Sequence, residues 1–201
     1  MWASTRTVSL QGAVGHVVDV QVDVSHGQIA TNLVGRADAS INEARDRCRS
    51  AIQNSEFDWP TSKRITILLS PADLPKRGSH FDLAIAVAVL AANGREFPRG
   101  ALDDLVLIGE LSLDGRLRCI PGVLPMVMAA AARGIRRIVV PEPQVGSSTR
   151  SPGSVVMRRH RAIAFGFVST TYTLSDANPA VTVSDHALLI GNAGKSSIKR
   201  T

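Results

Sequence analysis

Only two cysteines occur in the chain, Cys48 and Cys119, and neither belongs to a Cys-x-x-Cys pair or sits at metal-ligand spacing from a histidine. A disulfide framework and a cysteine-based metal centre are thereby excluded, and both thiols are expected to be structural. No apolar run reaches the roughly 18 to 20 residues that a membrane span needs. The N-terminus has no basic region leading into an apolar core and cleavage site. These absences predict a cytoplasmic protein with no membrane partner. Lysine is missing from the whole stretch between Arg77 and Gly194, which leaves most of the chain without an amine that could activate a serine.

What is present is uneven. Residues 1–144 hold 16 Lys/Arg against 15 Asp/Glu, a net of +1, whereas residues 145–201 hold 7 against 2, a net of +5. The basicity belongs to the tail, so nucleic-acid binding by the first part cannot rest on its isoelectric point. The 201 residues suffice for one good core. The reading is therefore one domain over 1–144 and a Ser/Thr-rich basic tail over 145–201, expected to be poorly ordered.

Residues 5–36 read as β structure. Thr7–Leu10 is followed by His16–Val24 and by Ile29–Val34, with a turn at Ser25-His26-Gly27-Gln28. In the long strand Val18, Val20, Val22 and Val24 share one face, while Val17, Asp19, Gln21 and Asp23 share the other, predicting a sheet wet on one side and covered by a helix on the other. A first helix is expected to begin at Ser40, capped by its hydroxyl with Glu43 reaching back. Its apolar stripe is Ile41, Ala44, Cys48, Ala51 and Ile52. Arg45, Arg47 and Arg49 lie off that stripe; they are nucleic-acid candidates, although a solvated, partly paired face is the simpler reading.

Strand Ile65–Leu69, helix Phe81–Asn93, strand Leu105–Glu110 and strand Arg116–Ile120 follow, the last two joined by an Asp114-Gly115 turn. Helix Pro121–Arg133, ending at Gly134, and strand Arg137–Val140 close the unit. The order β-β-β-α-β-α-β-β-α-β is an α/β or α+β sandwich with a mixed sheet.

The loop between strand Ile65–Leu69 and helix Phe81–Asn93 joins a strand to a buried helix and is where a site could form. Pro71 and Pro75 stiffen it. Asp73, Lys76, Arg77, His80 and Asp82 are its binding candidates, and Ser79 is a weak catalytic one. Ser79 is expected to cap the helix, and His80 and Asp82, two apart, to point in different directions.

The same loop, Pro71 to Pro75 with Lys76, Gly78 and Phe81-Asp82-Leu83, resembles that of the ComM/YifB proteins, the Mg-chelatase-like (ChlI-like) AAA+ ATPases, in their N-terminal domain. Asn42 to Ile52, Gly109-Glu110-Leu111-Ser112-Leu113-Asp114-Gly115, and Ala130 to Pro141 resemble it too. The resemblance runs from about Arg6 to Gln144. It implies a Lon-protease-like fold acting as a non-catalytic accessory domain before a hexameric ATPase motor. That motor, with ATP and Mg, serves DNA branch migration in natural transformation, so DNA and further copies of the chain are the implied partners. The chain is expected to have the accessory domain without the motor, to use no cofactor itself, and to end in a tail that is a frameshift or truncation product.

By the same resemblance, the nucleophile position of Lon-type peptidases falls on His80, one residue after Ser79, and their lysine position falls on Met126. A relic serine peptidase or a stand-alone nucleic-acid-binding module are the alternatives. Leu188 to Ser197 looks like a P-loop but fails its count: two residues separate Gly191 from Gly194 where four are needed to curl backbone N–H groups round a phosphate.

Overall fold

The computed structural model describes residues 1–141 and the backbone of Met157–Ala164 and Phe167–Leu174. The P-loop-like segment 188–197 lies outside the described residues. Strand β1 (Trp2–Gln11) turns at Gly12 into β2 (Val14–Ser25), pairing antiparallel along its whole length. Regular β structure thus begins at Trp2, five residues before the expected strand. β3 (Ala30–Val34) runs parallel to β4 (Arg64–Ser70), which pairs antiparallel with β2. Beyond β1 come β5 (Leu105–Leu107) and β8 (Arg137–Val140), both parallel additions. β6 (Glu110–Leu111) and β7 (Leu117–Arg118) form a separate small hairpin around Asp114-Gly115.

Two further strands, β9 (Met157–Ala164) and β10 (Phe167–Leu174), continue the sheet. Its order is β3-β4-β2-β1-β5-β8-β10-β9, a mixed α/β arrangement as expected. The pairing of β10 with β8 and of β9 with β10 puts regular backbone where the sequence suggested an irregular tail. An arginine-rich strand without apolar alternation gives no periodic signal, which is why it was not legible.

Helix α3 (Asp82–Ala92) is apolar all round, and ten of its eleven residues are buried. A helix of that composition must be enclosed rather than laid on a surface. It lies between the Val18, Val20, Val22 and Val24 face of β2 and the stripe Ala44, Cys48, Ala51 and Ile52 of α2 (Ala44–Asn54). Leu83, Ile85, Val87, Val89 and Leu90 each contribute about 1.5–3 kcal/mol by leaving water. Two β1 hydroxyls on this face are matched to carbonyls: Thr5 Oγ1 donates to Ala84 O at 2.9 Å and Ser9 Oγ to Pro75 O at 3.3 Å.

The opposite face is not simply wet. Helix α4 (Val123–Ala132) covers part of it, with Met126, Val127 and Ala130 packed among Val8, Val106, Ile138 and Val140, and Val17 half-buried against them. Gly15 makes this approach possible, since a Cβ there would lie 2.5 Å from Ala129 Cβ. The small-residue end of β2 therefore admits a helix where its alternation alone suggested solvent.

The first helix starts differently from expectation. Asp38, not Ser40, caps the short α1 (Ala39–Asn42) by accepting from Ile41 N at 3.0 Å, and the helical run is interrupted at Glu43 before α2. Glu43 turns to Arg47 instead of back to the cap. Both Asp38 and Ser40 are good cap residues, and tertiary bonding of Asp38 decides between them.

Candidate functional site

The loop from Pro71 to Phe81 is stitched to the segment before α1. Lys76 N donates to Arg36 O at 2.9 Å, Asp38 N to Lys76 O at 3.1 Å, and Gly78 N to Asp38 Oδ2 at 3.2 Å. One carboxylate thus caps α1 and pins the loop. Gly78 has φ +98°, and a Cβ there would lie 2.9 Å from His80 Nδ1, so this turn requires glycine.

Lys76 does not present its charge to a ligand. The residue is 1% exposed, and Nζ donates to Leu74 O at 2.7 Å and to Pro71 O. Burial holds its pKa below the ordinary lysine value, with Asp73 pulling the other way. Asp73 and Arg77 are exposed, and the Asp73 carbonyl accepts from Arg36. The five binding candidates therefore separate into an exposed pair and three buried side chains, Lys76, His80 and Asp82.

His80 is buried, and its Nε2–H donates to Val8 O at 2.8 Å. Burial lowers its pKa, which keeps the ring neutral near pH 7. Ser79 does not cap α3. It sits in a 3₁₀ turn, Ser79–Phe81, and its hydroxyl donates to Glu110 Oε2 on β6. Met126 is buried on α4 among apolar side chains.

Asp82 opens α3 completely buried, and Arg47 of α2 reaches it with two bonds, Nε to Oδ2 at 2.7 Å and Nη2 to Oδ1 at 3.0 Å. Leu111 N donates to Oδ2 at 3.1 Å, fixing the small hairpin to the same carboxylate. Arg47 is further held by Ser40 O at 2.7 Å and Glu43 Oε2 at 3.3 Å. Burial pushes the Asp82 carboxyl up to about 6 despite the pull of Arg47. Cys48 is buried beside it, its Sγ–H donating to Asp82 O at 3.2 Å, and burial raises the thiol pKa well above normal. Cys119, by contrast, is exposed, so core packing accounts for only one of the two thiols.

The three candidate arginines of α2 do not form one face. Arg47 turns inward, Arg45 pairs with Asp46 at 2.9 Å on the surface, and Arg49 is exposed. Sequence reasoning missed Asp38 and Glu110. Asp38 could have been found as a cap residue two positions before Ser40, and Glu110 stands inside the Gly109-to-Gly115 block already singled out. What the arrangement does chemically is to hold, in one place, the start of α3, the start of α2, the β6–β7 hairpin and the preceding loop. Among the described residues, the two lysines are committed elsewhere: Lys76 as above, and Lys63 Nζ to Asn93 Oδ1 at 3.2 Å.

A mixed α/β domain with this loop, carboxylate and helix arrangement is matched from residue 20 to residue 144 by the family described as subunit ChlI of Mg-chelatase, and the chain belongs to that family. Among individual relatives, a protein of Mycobacterium tuberculosis is 45% identical over 135 residues, 67% of this chain and 26% of its own length. YifB of Escherichia coli is 36% identical over 167 residues, covering 83% and 33%. The competence protein ComM of Haemophilus influenzae is 42% identical over 119 residues, covering 59% and 23%. The chain thus spans between 23% and 33% of the length of these curated relatives. A more distant similarity, 30% over 115 residues, links it to a Lon protease of Chloroflexus aurantiacus. No helix among the described residues is long and apolar enough to cross a membrane.

Proposed function

We propose that this chain serves as a non-catalytic accessory domain of a ComM/YifB-type, DNA-handling assembly in the cytoplasm, with DNA branch migration in natural transformation as the process it supports. The observation that carries the reading is the state of the loop. At the position where the resemblance puts a peptidase nucleophile stands His80, bonded to a backbone carbonyl, and at the lysine position stands buried Met126. The neighbouring Ser79 has a carboxylate, Glu110, as its partner rather than an amine. A serine needs a positioned base of suitable pKa to attack, and the nearest lysine in sequence spends its donors on Pro71 and Leu74. Bonds that would be needed for chemistry instead hold elements together.

Nucleotide binding belongs, on this reading, with the motor part of the assembly. The stand-alone nucleic-acid reading is weakened because Arg47 is withdrawn to Asp82 and Arg45 is neutralised by Asp46.

Two measurements test the proposal. The purified chain is expected to show no fluorophosphonate labelling and no casein hydrolysis; labelling abolished by Ser79→Ala would replace it with the peptidase reading. A Haemophilus influenzae ComM whose N-terminal segment is replaced by residues 1–144 is expected to restore transformation relative to a deletion of that segment. A chimera no better than the deletion would remove the accessory role.

A further inference from the structure

The two edges of the sheet differ in charge. β3 carries none, whereas β9 has Arg158, Arg159, His160 and Arg161 in succession, and no acidic residue occurs in β9 or in its neighbour β10. Among the described residues nothing pairs with the outer side of β9. Register distributes the basic residues over both faces of the sheet. Tyr172 is paired with Ile138 on one side and Arg159 on the other, and Thr170 with Val140 and Arg161, so Arg159, Arg161, Tyr172 and Thr170 share the face on which α4 packs. Arg158 and His160 take the opposite face, in line with Thr173 and Thr171. Residues two apart on a strand repeat at about 6.6–6.8 Å. The basic positions therefore form a row along one edge, which matches a chain of anions better than a single one. Charges on an edge strand also deter pairing with other chains, but that role is served by either sign and asks for no aromatic neighbour.

We infer that the β9–β10 edge binds single-stranded nucleic acid, with phosphates along Arg158, Arg159 and Arg161 and a base stacked on Tyr172. A basic row beside an aromatic residue suits an unpaired strand, because every base has a face to stack and every link carries a negative charge. A duplex offers the charges but keeps its base faces stacked inside. The placement also accounts for the uneven charge of the chain, since residues 145–201 carry a net +5 and residues 1–144 a net +1. This inference stands apart from the accessory-domain proposal, whose chimera ends at residue 144 and lacks β9.

The test uses the full chain and a fluorescein-labelled oligothymidylate of about 15 nucleotides, read by anisotropy across a salt series. Saturable binding with a Kd of about 1–100 µM is expected, with log K falling against log salt at a slope of about −2, the value for three phosphate contacts on a single strand. Changing Arg158, Arg159 and Arg161 together to Gln should weaken binding about tenfold or more at low salt and flatten the slope, while changing the same three to Lys should keep binding within about threefold. Tyr172→Leu should weaken binding about fivefold or more and leave the slope unchanged. Changing Arg150, Lys195, Lys199 and Arg200 to Gln removes more charge from the same tail, yet should alter binding less than about twofold. Circular dichroism checks the fold of each variant, and one competition needs no variant: polyphosphate of matched charge should displace the oligonucleotide only at about tenfold higher concentration or more. The proposal is overturned by the absence of saturable binding up to about 100 µM, by an equal loss in the second tail variant, by equal competition from polyphosphate, or by insensitivity to Tyr172→Leu. It is overturned too if the triple Gln variant binds unchanged and self-associates, which would assign the arginines to guarding the edge.

Discussion

The outer and inner faces of α2 carry the same ion pair twice. Outside, Arg45 grips Asp46 with Nε and Nη2 at 2.9 and 3.1 Å; inside, Arg47 grips Asp82 with the same two atoms at 2.7 and 3.0 Å. Geometry barely distinguishes them. Surroundings do, because both outer partners are more than half exposed, whereas Asp82 is fully buried and Arg47 is 18% exposed in its side chain. Water and ions screen the outer pair and compete for its hydrogen bonds, leaving about 0–1 kcal/mol. The inner pair has no such substitute, so each partner depends on the other to offset its own desolvation. The lesson is that an ion pair's worth is read from what happens to the survivor when its partner is removed.

The sharpest way to break this comparison is Arg47→Met. It leaves Asp82 buried without its cation, so a loss of about 3–5 kcal/mol is expected in urea unfolding, together with loosening of α2, α3 and the β6–β7 hairpin. A loss below about 1 kcal/mol would place the two pairs in the same class.

The second expected effect is a pH dependence tied to Asp82. With its folded pKa raised to about 6, the folded chain holds a proton that the unfolded chain has already released above about pH 4. The stabilisation from this group is therefore full below about pH 4 and lost as pH rises through 6, by about 2–3 kcal/mol. Subtracting the profile of Asp82→Asn from that of the parent should expose this falling component. A difference that rises with pH would mean that Arg47 outweighs burial.

Asp38→Ala should cost about 1–2 kcal/mol, since it removes both the α1 cap and the acceptor for Gly78 N–H. Hydrogen exchange should quicken at Ile41 and Gly78 together; a change at Ile41 alone would mean that the loop is not pinned by this side chain. At the bottom of the scale, Arg45→Ala should change stability by about 0.5 kcal/mol or less, and by less still at high salt.

Much of the fold could be read from local pattern. The valines of β2, the apolar run of α3, the Asp114-Gly115 turn and the stripe through Cys48 are periodic signals, and each became the element its period predicts. The site was less legible because its bonds join distant residues. Arg47 and Asp82 are 35 positions apart, and Ser79 and Glu110 are 31 apart. No spacing rule reports that an arginine off the apolar stripe has turned inward, or that a lysine in a polar loop is capped by its own loop's carbonyls. The start of α1 failed for a different reason, since two residues suited to one cap stood two positions apart and only the distant Gly78 N–H separates them. The Arg158-to-Arg161 segment lacked apolar alternation, yet its backbone pairs as a strand against β10.

The ammonium of Lys76, closed off by Pro71 and Leu74, makes this loop self-reporting. Amine-acylating reagents need room at the nitrogen for the incoming carbonyl, and buried Lys76 offers none until the loop opens. The rate at which Lys76 is acylated, set against Lys63 in the same sample, would clock the opening of the segment that precedes α3.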